Sequence, residues 1–471
     1  MSRRLTARHL RAAAMVVLAA ALASGGLALA SADGHARQAR SPRPTAAATA
    51  PPRRAADRRI PHETLAGLNP LRHRAANGTA EGSGRVAELD DGRRAVLTIE
   101  PGLQTFVEHT LDSYEVPYAA LVAIDPRNGR VLAYVSHSSA NPNAGDLVLD
   151  ATPPAASVFK VITGAALVDA GKSADTRICY GGGASRLRAI DLDDVPGRDS
   201  QCATLGEAMG GSINAVFAKL ADRTLQPATL ERYAAAFGFG HALPFDVPTQ
   251  ASPAEVPTER LEFARTAAGF WHMHMSPLHA ALIASTIAND GEMPRAMLVD
   301  RVLDARGGVV ARSTPEVFRR VISVDTAHQV NEMMRNTVEH GTARRTFHDP
   351  AGVPFLPGIR IAGKTGTLSG ENPYRGYTWW VGFAPADRPT IAVAALVVNT
   401  PMWRIKASFV AREALRYQLV QGPHERAEAQ RRAARAAAAA AARPTTAAAA
   451  AARPTTAAAP AMAVAAPTSA H

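Results

Sequence analysis

The segment AASVFKVITGAALV (residues 155–168) is the most informative stretch of the chain. Pro153 and Pro154 precede it and favour the start of a helix, and Gly171 follows where a helix would end. Almost every side chain in between is apolar, and a helix that is apolar on all sides is buried. The sequence therefore predicts an interior helix here.

Ser157 and Lys160 are nearly the only polar residues in this helix, and their i, i+3 spacing puts both side chains on one face. A buried lysine is costly unless it is paired or neutral, and burial lowers its pKa. Such an amine can accept a serine proton, and N–H groups at the helix start can stabilise an oxyanion. The alternative is a surface lysine beside a capping serine. For an isolated S-x-x-K this structural interpretation is the commoner one. The apolar surroundings make it less favoured but do not exclude it.

A second short motif is Ser212-Ile213-Asn214, which follows the pair Gly210 and Gly211. The glycines indicate a break, and a helix is predicted from Ala215 onward. On a purely structural interpretation Ser212 would cap the start of that helix. Alone, an S-x-N tripeptide does not distinguish the two interpretations.

A third motif, Lys364-Thr365-Gly366-Thr367, lies on a predicted amphipathic strand. Gly363 and Gly366 leave the strand backbone open to close approach, and an edge strand of this kind can pair with an extended peptide. Lys364 supplies charge for an acidic substrate group, and the threonines supply hydroxyls. Taken alone, K-T-G is equally an exposed strand end.

The remaining pattern predicts a domain of the α/β (α+β) class. Leu103, Phe106, Val107 and Leu111 share one face of a helix over residues 102–114. The other predicted elements are a hairpin at 119–125 and 130–136, a largely helical stretch at 155–345, strands at 359–367, 377–384 and 390–399, and a helix at 404–418. We expect an antiparallel sheet of about five strands, assembled from both ends of the domain, flanked by helices and carrying an inserted all-helical subdomain.

Composition divides the chain into four parts. Arg3, Arg4, Arg8 and Arg11 precede an apolar run at 12–30, so residues 1–32 fit a signal peptide or a membrane anchor, and either directs the domain out of the cytoplasm. Residues 33–90 form a Pro/Arg/Ala-rich linker that becomes more ordered after about Leu65, and residues 91–421 form the main domain. Residues 422–471 form a low-complexity basic Ala/Pro/Thr tail, whose start could be helical and whose end is predicted to be disordered.

The formal net charge is +11, and much of the excess lies in the two ends of the chain. A basic excess can serve nucleic acid, an anionic membrane or an anionic polymer. Because no nucleic-acid-binding module and no basic stripe interleaved with aromatic residues is present, we expect no nucleic-acid partner.

Two cysteines, Cys179 and Cys202, are a candidate disulfide in an oxidising compartment, and two separate buried thiols are the alternative. No metal-ligand spacing is present, and we expect neither a metal nor a cofactor. His272 and His274 form an H-x-H pair that is more typical of packing than of a metal site.

Together, the three motifs match the serine-active set S-x-x-K, S-x-N and K-T-G of β-lactamases and penicillin-binding proteins in order and separation. Over about residues 90–420 the chain resembles the transpeptidase domain of penicillin-binding proteins, and in particular their class B type. The segments at 96–104, 120–136, 276–292, 333–343 and 379–399 resemble further landmarks of that family.

The resemblance implies a serine D,D-transpeptidase that acts on peptidoglycan stem peptides. Ser157 would attack the D-Ala–D-Ala carbonyl with Lys160 as base, an amine of a second stem peptide would resolve the acyl-enzyme, and penicillins would acylate Ser157 as substrate mimics. Ser212 and Asn214 would relay protons and bind the substrate amide. The terminal carboxylate and the substrate backbone would be bound by Lys364, Thr365, Gly366 and Thr367. The N–H groups of Ser157 and Thr367 would form the oxyanion hole. The basic ends would then contact an anionic cell wall or membrane.

The chain departs from the family pattern in places. Ala155-Ala156 replaces the usual Pro-Gly before the nucleophile, and no glycosyltransferase domain or large pedestal fits before residue 90. Two alternatives stay open. One is a D,D-carboxypeptidase or weak β-lactamase on the same scaffold, and the other is a non-catalytic penicillin-binding sensor or wall-binding module.

Overall fold

The computed structural model describes residues 59–76, 81–82, 84–183 and 186–441. The expected export segment, the first half of the linker and the end of the tail lie outside the described residues. Among the helices that are described, none combines the length and the apolar character needed to cross a membrane.

The described residues contain fourteen strands. In chain order they are β1 (Arg74–Ala75), β2 (Arg85–Glu88), β3 (Arg94–Leu97), β4 (Tyr118–Ile124), β5 (Val131–His137), β6 (Arg177–Tyr180), β7 (Gln201–Thr204), β8 (Glu292–Pro294), β9 (Val299–Leu303), β10 (Val309–Arg312), β11 (Val317–Arg320), β12 (Ala362–Glu371), β13 (Tyr374–Ala384) and β14 (Ile391–Asn399).

Eleven α-helices are described with them. They are α1 (Pro101–Ser113), α2 (Lys160–Asp169), α3 (Leu205–Gly211), α4 (Asn214–Thr224), α5 (Pro227–Phe237), α6 (Arg260–Ala267), α7 (Pro277–Ala288), α8 (Val324–Glu339), α9 (Arg344–Phe347), α10 (Ala407–Arg416) and α11 (Gly422–Ala441). A short 3-10 turn, Ala156–Phe159, leads directly into α2.

The main sheet has five antiparallel strands in the order β12-β13-β14-β4-β5. It joins the early hairpin to the three late strands, so both ends of the domain contribute to one sheet, and β12 is an edge strand. The expected fold class is confirmed.

Apolar cores on both faces hold this sheet. Every residue of β14 is buried, and neighbouring residues alternate between the cores, with Leu396 facing one and Val397 the other. Helix α7 packs on one face, and α1 and α10 pack on the other. Alternation along a strand places successive side chains on opposite faces, which is why a continuous apolar run fits a sheet covered on both sides.

A second five-stranded sheet, in the order β1-β2-β3-β9-β10, corrects two expectations. Residues 292–320 hold four strands, although the sequence places them in a largely helical stretch. Much of the predicted linker also belongs to the fold, since Ile60, Leu65 and Val86 are buried. The cause is tertiary pairing: β9 pairs with β3, which is distant in the chain and therefore invisible to local patterning.

Strands β6 and β7 pair antiparallel, with Cys179 opposite Cys202, and a disulfide joins the two residues. They close an excursion of the chain beside the helical subdomain. At the other end, α11 occupies the start of the tail, where the sequence allows a helix.

Candidate active site

The candidate nucleophile stands where the 3-10 turn meets α2. Nine of the ten residues of α2 are buried, including Lys160, whose exposed fraction is 0%. The all-apolar sequence of this helix buries it among helices α3, α4, α5 and α8, as a helix without a polar face requires, while the 3-10 turn before it contacts β12 and β13. Lys160 is thereby held in the interior, and Ser157 one turn earlier is half-buried.

The amine of Lys160 has three partners. Its Nζ lies 2.9 Å from Ser157 Oγ, 2.7 Å from Asn214 Oδ1 and 2.5 Å from the Ala268 carbonyl oxygen. None of these is a carboxylate. Desolvation by burial lowers the pKa of Lys160 well below its usual value, and the charge of Lys364 lowers that pKa further. The arrangement favours a neutral amine within reach of the serine hydroxyl.

The backbone around the nucleophile is crowded. Ala156 has a φ of 50°, in the left-handed region that non-glycine residues seldom adopt. Gly269 has a φ of 81°, and a Cβ there would lie 2.4 Å from the Ala156 carbonyl oxygen. Glycine is therefore required at 269, directly after the Ala268 carbonyl that binds Lys160. Ala156 stands where the family has the glycine of Pro-Gly, and its backbone keeps a conformation that favours glycine.

The second motif lies between two helices. Helix α3 ends at Gly211, Ser212 follows with a left-handed φ of 57°, and α4 begins at Asn214. Ser212 is thus the C-cap of α3. The structural interpretation of the sequence, in which Ser212 caps the start of the next helix, is wrong. This bend sends Asn214 toward Lys160 and Ser212 toward the sheet.

The third motif lies on edge strand β12 and meets the second motif. Lys364 is fully buried, and its Nζ lies 2.9 Å from Ser212 Oγ and 2.9 Å from the Thr365 carbonyl oxygen. Burial lowers the pKa of Lys364 to about 7. The Thr365 hydroxyl lies 2.5 Å from that of Thr342, on the loop after α8.

Gly366 sets the distance between β12 and the nucleophile. A Cβ at this position would lie 3.2 Å from the Cβ of Ala156 and 3.3 Å from Val158 Cγ2, so the strand packs directly on the 3-10 turn. Behind the strand, Trp379 and Trp380 are buried in the sheet, and Trp379 also lines the catalytic cleft. The close approach brings Thr367 beside Ser157 at the edge of the sheet.

One cleft with an empty volume of about 1260 Å³ contains Ser157, Ser212, Asn214 and the strand residues Thr365, Gly366 and Thr367. The structure therefore brings together all three motifs. Other lining residues were given no functional role in the sequence analysis: Gly341, Thr342, Arg345, Thr346, Thr378, Lys406 and Ser408. The 333–343 landmark pointed to the first two of these, but nothing in the sequence singled out Lys406.

A neighbouring cleft of about 1730 Å³ shares Asn214 and Thr367 with the first and continues along Leu368 and Ser369. His272 lines it and bonds to Glu262 at 3.1 Å, whereas His274 bonds to the Thr152 carbonyl. The two histidines therefore serve separate contacts, in agreement with packing.

Comparison with known proteins gives a match of residues 119–419 to the family described as penicillin binding protein transpeptidase domain. The chain is 30% identical over 320 residues to the peptidoglycan D,D-transpeptidase PbpA of Mycobacterium tuberculosis, covering 59% of this chain and 62% of PbpA. It is 28% identical over 335 residues to stage V sporulation protein D of Bacillus subtilis, covering 66% of this chain and 50% of that protein. The chain thus spans about three fifths of the length of PbpA.

Solved structures are similar as well. Penicillin-binding protein A from M. tuberculosis matches with a TM-score of 0.58 at 25% identity, covering 69% of this chain and 82% of the other. Its ceftriaxone acyl-enzyme complex matches with a TM-score of 0.57 at 26% identity, covering 70% and 80%.

Proposed function

This chain belongs to the penicillin-binding protein transpeptidase family, and from that premise we propose that it is a serine D,D-transpeptidase that joins peptidoglycan stem peptides through an acyl-enzyme. One observation carries the proposal. Among the described residues, Lys160 is buried with no carboxylate partner, and its amine lies 2.9 Å from Ser157 Oγ, beside a glycine-containing edge strand.

In the proposed acylation, neutral Lys160 accepts the Ser157 proton as Oγ attacks the penultimate D-Ala carbonyl. The N–H groups of Ser157 and Thr367 receive the oxyanion. The proton passes by way of Ser212 to the departing D-Ala amine. Asn214 holds Lys160 and the substrate amide, in keeping with its 2.7 Å contact to the lysine.

The donor peptide is proposed to lie antiparallel to β12. Lys364, Thr365 and Thr367 would bind its terminal carboxylate, and the close packing at Gly366 would let the peptide backbone reach the strand. The body of the donor then continues past Leu368 and Ser369 into the neighbouring cleft. Penicillins would enter as mimics of the D-Ala–D-Ala end and acylate Ser157. The acyl-enzyme complexes solved for penicillin-binding protein A support this.

We place the catalytic domain outside the cytoplasm, because the N-terminal sequence fits export and the substrate belongs to the cell wall. Anchoring by residues 12–30 is part of this proposal. Helix α11 carries the exposed residues Arg431, Arg432 and Arg435, which support contact with an anionic wall polymer or membrane surface.

The test is D-Ala release from a synthetic stem peptide ending in D-Ala–D-Ala, measured with and without an acceptor amine. The wild type should release D-Ala and form the cross-linked amide when the acceptor is present, and Ser157→Ala should do neither. Release without any amide product, at saturating acceptor, would instead establish the D,D-carboxypeptidase. Absence of release from well-folded wild type would favour the sensor.

A further inference from the structure

The catalytic cleft has a cationic end that the three motifs do not account for. Its lining includes Arg345, three residues after the Thr342 whose hydroxyl contacts Thr365, and Lys406, two residues before the Ser408 whose hydroxyl contacts Thr346. The Arg345 side chain is exposed, and across the part of the chain that the structure describes it has no ion pair and no hydrogen bond. The Lys406 amine lies 5.8 Å from the centre of the Trp403 ring. Both charges are therefore available to a ligand in the cleft.

The neighbouring charge on Lys364 is less available. Its amine donates to Ser212 and to the Thr365 carbonyl, and burial lowers its pKa to about 7, so near neutral pH only part of the protein carries this charge. Arginine stays charged under all such conditions, and its planar fork matches a carboxylate. A carboxylate bound in this end of the cleft could form an ion pair with Arg345, whose charge is permanent.

This end of the cleft is also where the leaving group goes in the proposed function. With the donor carboxylate at Lys364 and Thr365, the terminal D-Ala would lie on the side of the cleft where Thr365 contacts Thr342 and where Arg345 follows on α9. The donor body would lie on the other side, past Thr367. Once D-Ala has left, the amine that resolves the acyl-enzyme must reach the same carbonyl from the same side. By microscopic reversibility, the site that releases D-Ala can also receive an amine that carries a carboxylate in the same position.

We propose that Arg345, assisted by Lys406, selects acceptors whose nucleophilic amine sits on a carbon that also carries a carboxylate. This rests on the proposed transpeptidase activity and names the acceptor class for that site. The amine attacks the ester carbonyl on Ser157, the C–N bond forms, the C–O bond to Oγ breaks, and the amine proton passes through Lys160 to Oγ. Arg345 is a specificity-determining residue in this step and takes no part in the proton transfer.

The experiment separates acyl transfer from acylation by using a donor without a terminal carboxylate. An N-acyl-D-alanyl thioester with an uncharged thiol leaving group would acylate Ser157 without needing Arg345. D-alanine and D-alaninamide then compete as acceptors, and the ratio of their amide products is measured for the wild type, Arg345→Gln and Arg344→Gln. Arg344 is the matched control, because it is adjacent and exposed but bonds to the Glu339 carbonyl and does not line the catalytic cleft.

We expect the wild type to prefer D-alanine by about tenfold or more, the order associated with a hydrogen bond to a charged group. Arg345→Gln should reduce the preference to near unity while the thioester acylation rate stays unchanged, and Arg344→Gln should keep the wild-type preference. Equal use of both acceptors by the wild type would overturn the inference, as would a preference that survives Arg345→Gln. Failure of the thioester to acylate Ser157 at all would count against the proposed function instead.

A second arm identifies the source of the acceptor group. Stem tripeptides ending in meso-diaminopimelate or in L-lysine are offered to the same acyl-enzyme. The first carries an amine beside a carboxylate at its side-chain end, and the second carries the amine alone. Preference for the first, lost in Arg345→Gln, supports a peptide acceptor, whereas equal use of the two tripeptides contradicts the proposed selection for that substrate.

Discussion

Replacing Lys160 by methionine is expected to abolish acylation while leaving the fold in place. Methionine fills a similar volume in the interior of α2, so packing is retained. The three hydrogen bonds of the amine are lost, each with a net value of about 1 kcal/mol. Against this stands the removal of an amine whose charged form burial disfavours, at about 1.4 kcal/mol for each unit by which the pKa falls. The two effects oppose each other, so Lys160→Met should lower the free energy of unfolding by less than the about 3 kcal/mol that the three lost hydrogen bonds alone would cost.

The effect on chemistry should be far larger, because a positioned general base contributes about 10²- to 10⁴-fold to rate. The assay is the rate of acylation by a fluorescent penicillin, beside guanidinium unfolding of the same samples. Lys219 offers a matched control, since it is also fully buried but donates to the carboxylates of Asp194 and Asp199.

Lys219→Met should therefore show the opposite pattern. Loss of charge-assisted hydrogen bonds should lower the free energy of unfolding by about 2 kcal/mol or more, while acylation per folded molecule stays at the wild-type rate. If Lys160→Met acylated within tenfold of the wild type, or if both lysine variants lost acylation equally, the role given to Lys160 would be refuted.

Three further predictions follow from the same contacts. Gly366→Ala should slow acylation about tenfold, because the added Cβ forces β12 away from the 3-10 turn that carries Ser157. Gly370→Ala lies on the same strand with open space around its Cβ and should leave the rate unchanged. Equal acylation rates for the two variants in stopped-flow measurements would contradict this prediction. For Lys364 the folded pKa of about 7 lies below the usual 10.5, so the unfolded state binds more protons between these values and the wild type gains stability with rising pH. Urea unfolding of the wild type relative to Lys364→Met should reveal a gain of about 4 kcal/mol over that window, and a flat difference would exclude the shift. The double variant Cys179→Ser, Cys202→Ser should lose about 3 kcal/mol of stability in chemical denaturation, since the bond closes a 23-residue separation, and a loss under about 1 kcal/mol would indicate that the bond matters little.

Local patterning was sufficient for the main sheet and for helix α2, which begins directly after the turn that carries Ser157. The alternating or continuous apolar runs of β4, β5, β13 and β14 are strong local signals, and the apolar sequence of α2 predicted the burial of Lys160. The second sheet was not predictable in this way, because β9 is short and gains its strand conformation by pairing with β3.

The site was predicted only as far as its motifs. The S-x-x-K spacing anticipated the contact between Lys160 and Ser157, but not the bond from Lys160 to the Ala268 carbonyl, which depends on the tertiary approach of Gly269. Backbone acceptors carry no side-chain signature in a sequence. Arg345 and Lys406 were missed for a related reason, since one lies on α9 and the other directly before α10, and only the fold brings these two elements to the same cleft.

The structure contains two hydroxyl–amine pairs at the same distance, Ser157 with Lys160 and Ser212 with Lys364, each at 2.9 Å. Peptide mapping by mass spectrometry after incubation with penicillin G tells them apart. We expect one penicilloyl adduct, on the peptide that contains Ser157, in the wild type and none in Ser157→Ala. An adduct on the peptide containing Ser212, or one that persists in Ser157→Ala, would contradict it.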